Sequence, residues 1–291
     1  MTDREPRDLP LDAHLHTNQS PDATSPIDAY AEAAITRGIA EIAITDHVDF
    51  ERGAPAYAYT TFAERERVVR DAAERWAPRG VLIRFGVELT YDRSWEADLR
   101  DHLARHPYDF TIGSVHDRIG SPYNPDHVAA FVASHSLPEV LAPYFVEVVA
   151  AARSGLFDAL GHIDGVKRYL YPHVRPAQLA AAPELIEPSL RALVESGTAL
   201  EVNTSGLRYA IAEAFPHPDT VARFRELGGQ AVTIGSDAHR PEHFAWGLGD
   251  GYAIAAGAGF EELTFRRGVG TGRTAIAIPV GAASPADSHP R

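Results

Sequence analysis

Seven short apolar runs recur along the chain, and their length and composition are typical of buried strands. We predict strands over residues 9–16, 40–45, 81–88, 110–115, 157–162, 199–203 and 231–236. Because the runs are almost continuously apolar, both faces of each strand are expected to be covered, as in a parallel sheet.

Longer stretches with helical spacing separate these runs. The first begins near Pro26, with Ser25 as its predicted N-cap and Gly38 as its end. Further helices are predicted over residues 62–76, 137–152, 185–195 and 220–227. Because strands and helices alternate, the pattern predicts a parallel α/β sheet. Seven such units indicate a closed or nearly closed βα barrel.

Polar residues follow each predicted strand. The active sites of βα barrels lie at the carboxyl ends of the strands, so these residues are candidate functional groups. They are His14, His16, Asp46, His47, Glu88, His116, His162, Asp164, Asn203, Asp237 and His239. Six of the 14 histidines fall at these positions. Their distribution therefore indicates a functional site and not a chance placement.

The spacing of these residues suits metal binding. His14 and His16 lie on one face of the first strand, because side chains alternate along a strand. Two imidazoles on one face can bind one ion, and Zn, Mn and Fe all accept imidazole nitrogen. Asp237 and His239 repeat this spacing at the last strand. Glu88 ends an apolar run, and a buried glutamate is rare unless it is paired or metal-bound.

Composition narrows the possible functions. The chain has 291 residues, which suits one barrel domain, and 45% of them are hydrophobic. The absence of cysteine excludes disulfides and thiolate metal sites, so a metal must be held by His, Asp and Glu. The net charge of −13 argues against nucleic-acid binding, which needs a basic surface. An anionic substrate would need metal ions or a local basic patch to overcome this field.

The sequence also predicts the location and the domain organisation of the protein. No apolar run is long enough to span a membrane, and residues 1–7 lack the apolar core of an export signal. We therefore expect a cytoplasmic protein that binds neither membranes nor nucleic acid. One domain is predicted over residues 9–275, with flexible tails at 1–8 and 276–291. The sequence leaves the oligomeric state open.

Three longer motifs give the chain a resemblance to a known family. They are Gly161-His162-Ile163-Asp164 followed by Lys167-Arg168-Tyr169, then Glu201-Val202-Asn203-Thr204-Ser205-Gly206-Leu207-Arg208, and then Gly235-Ser236-Asp237-Ala238-His239. With the other strand-end residues, they make the chain resemble the polymerase-and-histidinol-phosphatase (PHP) superfamily. Within that superfamily it most resembles the PHP-type histidinol-phosphate phosphatases. The family fold is a distorted seven-stranded (β/α)7 barrel of the α/β class, in agreement with the predicted strands.

The resemblance implies a cluster of three divalent metal ions, which would be Zn, Mn or Fe. The first ion would be held by His14, His16, Glu88 and Asp237. The second would be held by Glu88, His116 and His162, with Glu88 as the bridge. The third would be held by Asp22, His47 and His239. Asp22 stands where some members carry a histidine, which implies an altered affinity or metal preference.

Such a cluster suits a phosphate monoester, an anion whose uncatalysed hydrolysis is very slow. Two metals about 3.5–4 Å apart can hold the attacking and the leaving oxygen. A water that bridges them loses a proton near neutral pH, and the hydroxide would attack phosphorus in line. The metals would neutralise charge on the phosphoryl oxygens. Glu88 suits the bridge because one carboxylate oxygen can face each metal.

Cationic side chains beyond the strand ends are candidate phosphate ligands. They are Lys167, Arg168 and Arg208, and the alternative for each is a solvated surface charge. The resemblance favours the two arginines, which can bind phosphate oxygens in a bidentate manner. Ser205 and Asn203 would add neutral hydrogen bonds.

The expected catalytic set is Asp46, Glu88, Asp237 and His239. Asp46 is expected to orient His47 or a bound water, as carboxylates behind a metal site often do. Protonation of the leaving alcohol remains open between a metal-bound water, His239 and Asp46.

The resemblance implies hydrolysis of L-histidinol phosphate to L-histidinol and phosphate, a step of histidine biosynthesis. Asp117 follows His116 at a place where the phosphatases that this chain resembles usually carry an apolar residue. Histidinol carries a cationic amine, and Asp117, Asp164 and Glu213 are the candidate carboxylates for it. The alternatives are a sister phosphatase acting on another small phosphate ester and an amidohydrolase-type metal hydrolase. A non-catalytic module of the kind found within bacterial DNA polymerases is disfavoured by the length and the acidic charge.

Overall fold

The computed structural model describes residues 8–279, and two sheets lie within this range. The strands are β1 (Leu11–Leu15), β2 (Glu41–Ile44), β3 (His47–Val48), β4 (Leu82–Thr90), β5 (Phe110–Ser114), β6 (Ala159–Leu160), β7 (Ala199–Asn203), β8 (Val232–Gly235), β9 (Glu262–Arg266) and β10 (Arg273–Ala277). The main sheet has the order β1-β2-β4-β5-β6-β7-β8, and every neighbouring pair is parallel. The short strand β3 also pairs with β4 in parallel.

The main sheet curves until its first and last strands meet. Leu15 pairs with Ala238 in a parallel bridge, and the N–H of His16 donates to the carbonyl of Ala238 at 2.9 Å. The carboxylate of Asp12 accepts two hydrogen bonds from Ser236, one from its N–H at 2.9 Å and one from its hydroxyl at 2.6 Å. The result is the predicted distorted (β/α)7 barrel, which the structure confirms.

Ten helices lie within residues 8–279 and cover the strands. They are α1 (Ile27–Arg37), α2 (Phe62–Trp76), α3 (Glu96–Arg105), α4 (Val128–Ser134), α5 (Leu137–Ser154), α6 (Val166–Leu170), α7 (Pro176–Ala180), α8 (Glu187–Ser196), α9 (Pro218–Glu226) and α10 (Leu248–Gly257). Short 3-10 turns occur at Ala77–Arg79, Arg93–Trp95, Pro183–Leu185, Ser205–Arg208 and Pro241–His243. None of these described helices is both long and apolar enough to cross a membrane.

The ends of α1 and α2 can be compared with the predicted helix bounds and capping residues. The helix α2 has the predicted bounds, and the hydroxyl of Thr61 caps it by accepting from the N–H of Glu64 at 3.2 Å. The predicted end of α1 is confirmed, because Gly38 adopts a left-handed φ of 69° there. The prediction of Ser25 as the N-cap is wrong. Pro26 takes that position without a side-chain cap, and its fixed φ suits the entry to a helix.

The interior of the barrel is densely apolar. Every residue of β1, β2, β5, β7 and β8 is buried. Aromatic rings such as Phe85, Phe110 and Phe265 fill the space behind the strands and are at most 1% exposed. Burial of one such ring contributes about 1.5–3 kcal/mol. The packing therefore fixes the positions of the strand ends, where the polar residues lie.

Two parts of the fold differ from the sequence prediction. The predicted strand over residues 157–162 is paired only at Ala159 and Leu160. Gly161 then passes so close to β5 that an added Cβ would lie 2.5 Å from the hydroxyl of Ser114. The antiparallel pair of β9 and β10 was not predicted, and it packs Phe265 against Phe110 with ring centroids 4.5 Å apart.

The chain termini were predicted as flexible tails at 1–8 and 276–291. Most of both tails lies outside the described residues. At the carboxyl side, β10 continues to Ala277, two residues beyond the predicted domain end, and Ile276 is buried. The domain boundaries otherwise remain a prediction.

Candidate metal centre

The structure brings together all nine residues that were predicted to bind metal. They are His14, His16, Asp22, His47, Glu88, His116, His162, Asp237 and His239. They lie in or just beyond the carboxyl ends of strands, or in the loop after β1. Six strand ends thus contribute to one cluster, which explains why polar residues recur after apolar runs.

One oxygen of Glu88 faces the first strand and β3. Its Oε2 lies 3.3 Å from the Nε2 of His14, 3.3 Å from the Nε2 of His16 and 3.0 Å from the Nδ1 of His47. Glu88 is only 1% exposed, and yet Oε2 has no hydrogen-bond partner of good geometry within residues 8–279. Three imidazole nitrogens and a carboxylate oxygen therefore lie together, as the ligands of a shared cation do.

The other oxygen of Glu88 faces a second pair of histidines. Its Oε1 lies 2.9 Å from the Nε2 of His162 and 3.3 Å from the Nε2 of His116. The hydroxyl of Thr90 lies 3.0 Å from the Nδ1 of His116, which fixes the orientation of that ring. The two oxygens of one carboxylate thus point to two separate groups of imidazoles, as a bridging ligand requires.

Asp237 completes the first group. Its Oδ1 lies 3.4 Å from the Nε2 of His16, 3.8 Å from the Nε2 of His14 and 3.4 Å from the Nδ1 of His239. The residue has a φ of 53°, a left-handed conformation that aspartate tolerates better than most residues. Gly235 allows the close approach of β8, because an added Cβ would lie 2.2 Å from the Cβ of His14. The strand β8 therefore packs closely against β1 at the cluster.

A third group lies at the outer edge. The Oδ2 of Asp22 is 3.4 Å from the Nε2 of His47 and 3.3 Å from the Nε2 of His239. The side chain of Asp22 is 52% exposed, whereas those of His14 and Glu88 are buried. This part of the cluster is therefore the one most open to solvent.

The cluster strongly perturbs the ionisation of its members. Burial lowers the pKa of His14, but the charges of Glu201, Glu88 and Asp237 outweigh burial and raise this pKa well above its usual value. Burial raises the pKa of Glu88, but the neighbouring imidazoles, that of His14 first, hold it well below its usual value. The charges around Glu88 therefore favour its ionised form.

A buried glutamate behind the cluster was not assigned a role from the sequence. The Oε1 of Glu201 lies 2.6 Å from the Nδ1 of His14. Its Oε2 accepts hydrogen bonds from the N–H of His162 at 2.9 Å and from the Nδ2 of Asn203 at 3.0 Å. Glu201 therefore fixes two predicted ligands at once. The available signal was an acid inside the apolar strand β7, on the same face as Asn203.

Asp46 lies close to the cluster and accepts hydrogen bonds from the loop after β1. Its carboxylate accepts from the N–H and hydroxyl of Thr17 at 2.6 and 2.8 Å, and from the hydroxyl of Ser20 at 3.0 Å. Ser20 in turn accepts from the N–H of His47 at 2.9 Å. Asp46 therefore holds the loop after β1 and is linked to the backbone of His47 through Ser20, and its role in orienting His47 or a bound water stays a prediction.

The cluster opens into a cleft of about 340 Å³. The walls include predicted ligands and five further polar side chains, which are Asp49, Thr90, Asp117, Arg168 and Tyr169. Arg168 donates to the hydroxyls of Tyr169 and Tyr209 at 3.0 and 3.2 Å, and its guanidinium lies over both rings. Arg168 is thus a positioned cation at the mouth of the metal cluster.

Arg208 is also beside the cluster, and its guanidinium is bound to the backbone there. It donates to the carbonyl oxygens of Ser236 and Asp237 at 2.8 and 2.9 Å. These bonds support the segment that carries Asp237. Arg208 does not appear among the residues that line the cleft.

Two residues predicted to contact the substrate already have partners within the protein, and their contact with substrate stays a prediction. The ammonium of Lys167 pairs with Asp164 at 2.8 Å and with Glu213 at 3.0 Å, and these three residues line a second cavity. The hydroxyl of Ser205 donates to the Oδ1 of Asn203 at 2.6 Å. Both groups are buried and already bonded, because the fold places partners beside them that the sequence does not reveal.

The fold and the cluster together define a parallel α/β barrel protein with a candidate metal centre at the carboxyl ends of its strands. Residues 12–205 match the model of the PHP domain family. The match spans more than half of the chain, and the chain belongs to this family.

Relatives with assigned names cover nearly the same length. The chain is 32% identical to the "probable histidinol-phosphatase" of Deinococcus radiodurans over 259 residues, which is 88% of this chain and 96% of the relative. It is 27% identical to the "histidinol-phosphatase" of Lactococcus lactis, over 87% of this chain and 93% of the relative.

Solved structures show the same fold. The histidinol phosphate phosphatase of Lactococcus lactis, crystallised with zinc, L-histidinol and phosphate, matches with a TM-score of 0.75 and 24% identity. The match covers 89% of this chain and 97% of that chain. A putative histidinol phosphatase from Listeria monocytogenes matches with a TM-score of 0.68, over 82% and 99% of the two chains.

Proposed function

We propose that this chain is a metal-dependent phosphomonoesterase that hydrolyses L-histidinol phosphate to L-histidinol and phosphate. The observation that carries the proposal is Glu88, whose two oxygens face separate groups of histidines at the base of a cleft. The relative from Deinococcus radiodurans, which is named as a probable histidinol-phosphatase, supports the substrate.

The residues of the cluster fit divalent cations. The Nε2 atoms of His14 and His16 lie only 3.0 Å apart, and two lone pairs oppose each other there when both rings carry their proton on Nδ1. The Oε2 of Glu88 is buried beside them without a good hydrogen bond. A cation shared by these atoms would relieve both problems. Imidazole and carboxylate together suit Zn, Mn or Fe.

We assign three ions to the cluster. The first would be held by His14, His16, Glu88 and Asp237. The second would be held by Glu88, His116 and His162. The third would be held by Asp22, His47 and His239. When bound, divalent ions supply Lewis acidity, which lowers the pKa of water and neutralises charge on phosphoryl oxygens.

The side chains around the cluster prepare it for this chemistry. Glu201 accepts from the Nδ1 of His14, so that the Nε2 lone pair of His14 faces the cluster. Arg168, held by two tyrosine hydroxyls, can bind phosphate oxygens at the cleft wall. Asp46 already accepts three hydrogen bonds, and His239 is assigned to the third ion, so neither of the two side chains is well placed to protonate the leaving alcohol. His239 also lines the cleft.

The cytoplasmic location and the place in histidine biosynthesis belong to the same proposal. Both follow from the substrate and from the sequence features described above. The partner that the proposal requires is a small phosphate monoester.

Phosphate release from L-histidinol phosphate tests the proposal. The purified protein would be assayed beside a generic aryl phosphate, with and without a chelator, and after addition of Zn or Mn. We expect chelator-sensitive turnover that favours histidinol phosphate. Equal or faster turnover of the aryl ester would keep the phosphatase mechanism and reject the substrate. No phosphate release by metal-loaded protein would reject the proposal and favour an amide or lactone substrate.

A further inference from the structure

Two carboxylates of the metal cleft have no cationic partner among the side chains of residues 8–279. Asp49 and Asp117 both line the cleft, both are half-buried, and neither is a proposed metal ligand. Within residues 8–279, no ion pair joins either of them to Lys, Arg or His. A half-buried carboxylate without a counter-charge is costly, because solvent only partly compensates for its charge.

Four other acids of the protein are each paired with a cation. Asp92 and Glu51 both pair with Arg118. Asp164 and Glu213, two of the three acids considered for the substrate amine, share the ammonium of Lys167 and line the second cavity. Of the three, Asp117 alone lines the cleft that contains the metal cluster.

Asp117 is held in place and still has a free oxygen. Its Oδ1 accepts a hydrogen bond from the hydroxyl of Ser121, and its N–H donates to the hydroxyl of Tyr169 at 3.2 Å. The same tyrosine hydroxyl accepts from Arg168. Asp117 is thereby linked to the cation of the cleft through one tyrosine, while its Oδ2 has no hydrogen bond in the described part of the chain.

Asp49 is held in a similar way. Its Oδ1 accepts from the N–H of Glu51 at 2.8 Å, and its backbone pairs with Tyr57 in a short parallel bridge. Its Oδ2 has no hydrogen bond among residues 8–279. The cleft thus combines two fixed carboxylates with one fixed cation, Arg168, beside the metal cluster.

We infer that Asp117, assisted by Asp49, binds the ammonium group of the substrate and thereby sets the specificity of the enzyme. The inference rests on the proposed phosphatase function and extends it from the phosphate to the alcohol part of the ester. A substrate with a phosphate at one end and an ammonium group nearby matches the charges of the cleft. A neutral or purely anionic ester leaves both carboxylates unpaired.

The test compares L-histidinol phosphate with 3-(imidazol-4-yl)propyl phosphate, which lacks only the amine. An aryl phosphate serves as a third substrate. The proteins are the metal-loaded wild type, Asp117→Asn, Asp49→Asn and the double variant. Asp126→Asn is the matched control, because Asp126 is exposed, lies in the same loop as Asp117 and does not line the cleft.

We expect Asp117→Asn to lower kcat/KM for L-histidinol phosphate by roughly 10- to 100-fold, mainly through KM, as expected for a lost hydrogen bond to a charged group. Asp49→Asn should have a smaller effect in the same direction. Turnover of the deamino ester and of the aryl phosphate should stay within about twofold of the wild-type values, a change smaller than the loss of one hydrogen bond to a charged group would cause. L-Histidinol should inhibit the variants more weakly, while inhibition by inorganic phosphate is unchanged.

Three results would overturn the inference. One is equal turnover of the amine-bearing and deamino esters by the wild type. Another is a double variant that still prefers L-histidinol phosphate to the deamino ester as strongly as Asp126→Asn does. The third is an equal loss on all three esters together with weaker inhibition by phosphate, which would assign Asp117 to the metal site. Absence of phosphate release from every ester would reject the proposed function itself, and this inference with it.

Discussion

The two ends of the barrel use buried acids in opposite ways. At the amino end of the strands, Glu41 at the start of β2 pairs with Arg84 at 2.6 Å and with Arg267 at 2.7 Å. Asp158, just before β6, pairs with Arg266 at 2.7 Å. Arg266 of β9 and the following residue, Arg267, thus attach the β9–β10 hairpin to the amino end of the barrel. The sequence did not predict this hairpin.

At the carboxyl end, Glu88 is equally buried, but its neighbours are imidazoles. Within residues 8–279, no ion pair joins Glu88 to an arginine or lysine. Arginine is always charged and has no lone pair to offer, whereas neutral imidazole can ligate a metal. Burial of an acid therefore does not by itself reveal its role. The type of side chain around it separates a structural ion pair from a candidate metal site.

Glu88→Gln should cause the largest effect, because it removes the charge and one bridging oxygen from the cluster. We expect kcat to fall by about 10³-fold or more, since metal ions contribute several kcal/mol to charge stabilisation. Metal content measured by mass spectrometry should fall together with phosphate release. If the variant kept its full metal content and at least a tenth of its activity, Glu88 would not be the bridge.

Glu201→Gln should have an intermediate effect, because it weakens the support of the ligands without removing one. Loss of the charged partner of His14 should lower metal affinity by roughly 10- to 100-fold. Competition with a metal-binding dye measures this affinity, and excess metal should restore most of the activity. A loss of activity that excess metal cannot restore would show that Glu201 does more than orient ligands.

Glu41→Gln makes the same chemical change at the other end and should leave catalysis intact. It breaks contacts to two arginines that are 24% and 38% exposed, so solvent partly compensates for the loss. We expect the free energy of unfolding to fall by roughly 2 kcal/mol, measured by urea denaturation. The kcat of folded protein should be unchanged. A drop in kcat comparable to that of Glu88→Gln would contradict the division between the two ends.

The sequence predicted the barrel and its strand ends because both depend on local patterns. The strand over 199–203 and the helix over 62–76 have the predicted bounds, since apolar periodicity and capping specify them directly. The proposed ligands could be located for the same reason, because each follows an apolar run. In a parallel barrel, every run of this kind ends at the same rim.

Pairings between distant segments could not be predicted in this way. Lys167 looked available for phosphate, but Glu213 reaches it from a loop far along the chain. Arg266 and Arg267 carry no local signal that they meet Asp158 and Glu41. Such contacts depend on how segments pack, and only the three-dimensional arrangement supplies them.

The seam between the first and last strands gives the proposed metal centre a second consequence. The barrel closes there through the bridge between Leu15 and Ala238 and the hydrogen bonds around it, and His14 and Asp237 lie directly beside that bridge. An ion shared by these two residues would be a reversible cross-link between the two ends of the domain, in a chain that has no cysteine. A covalent link that closes so long a loop removes about 5 kcal/mol of chain entropy. Metal supply would then govern the resistance of the protein to proteolysis, and thus its lifetime, as well as its turnover of substrate.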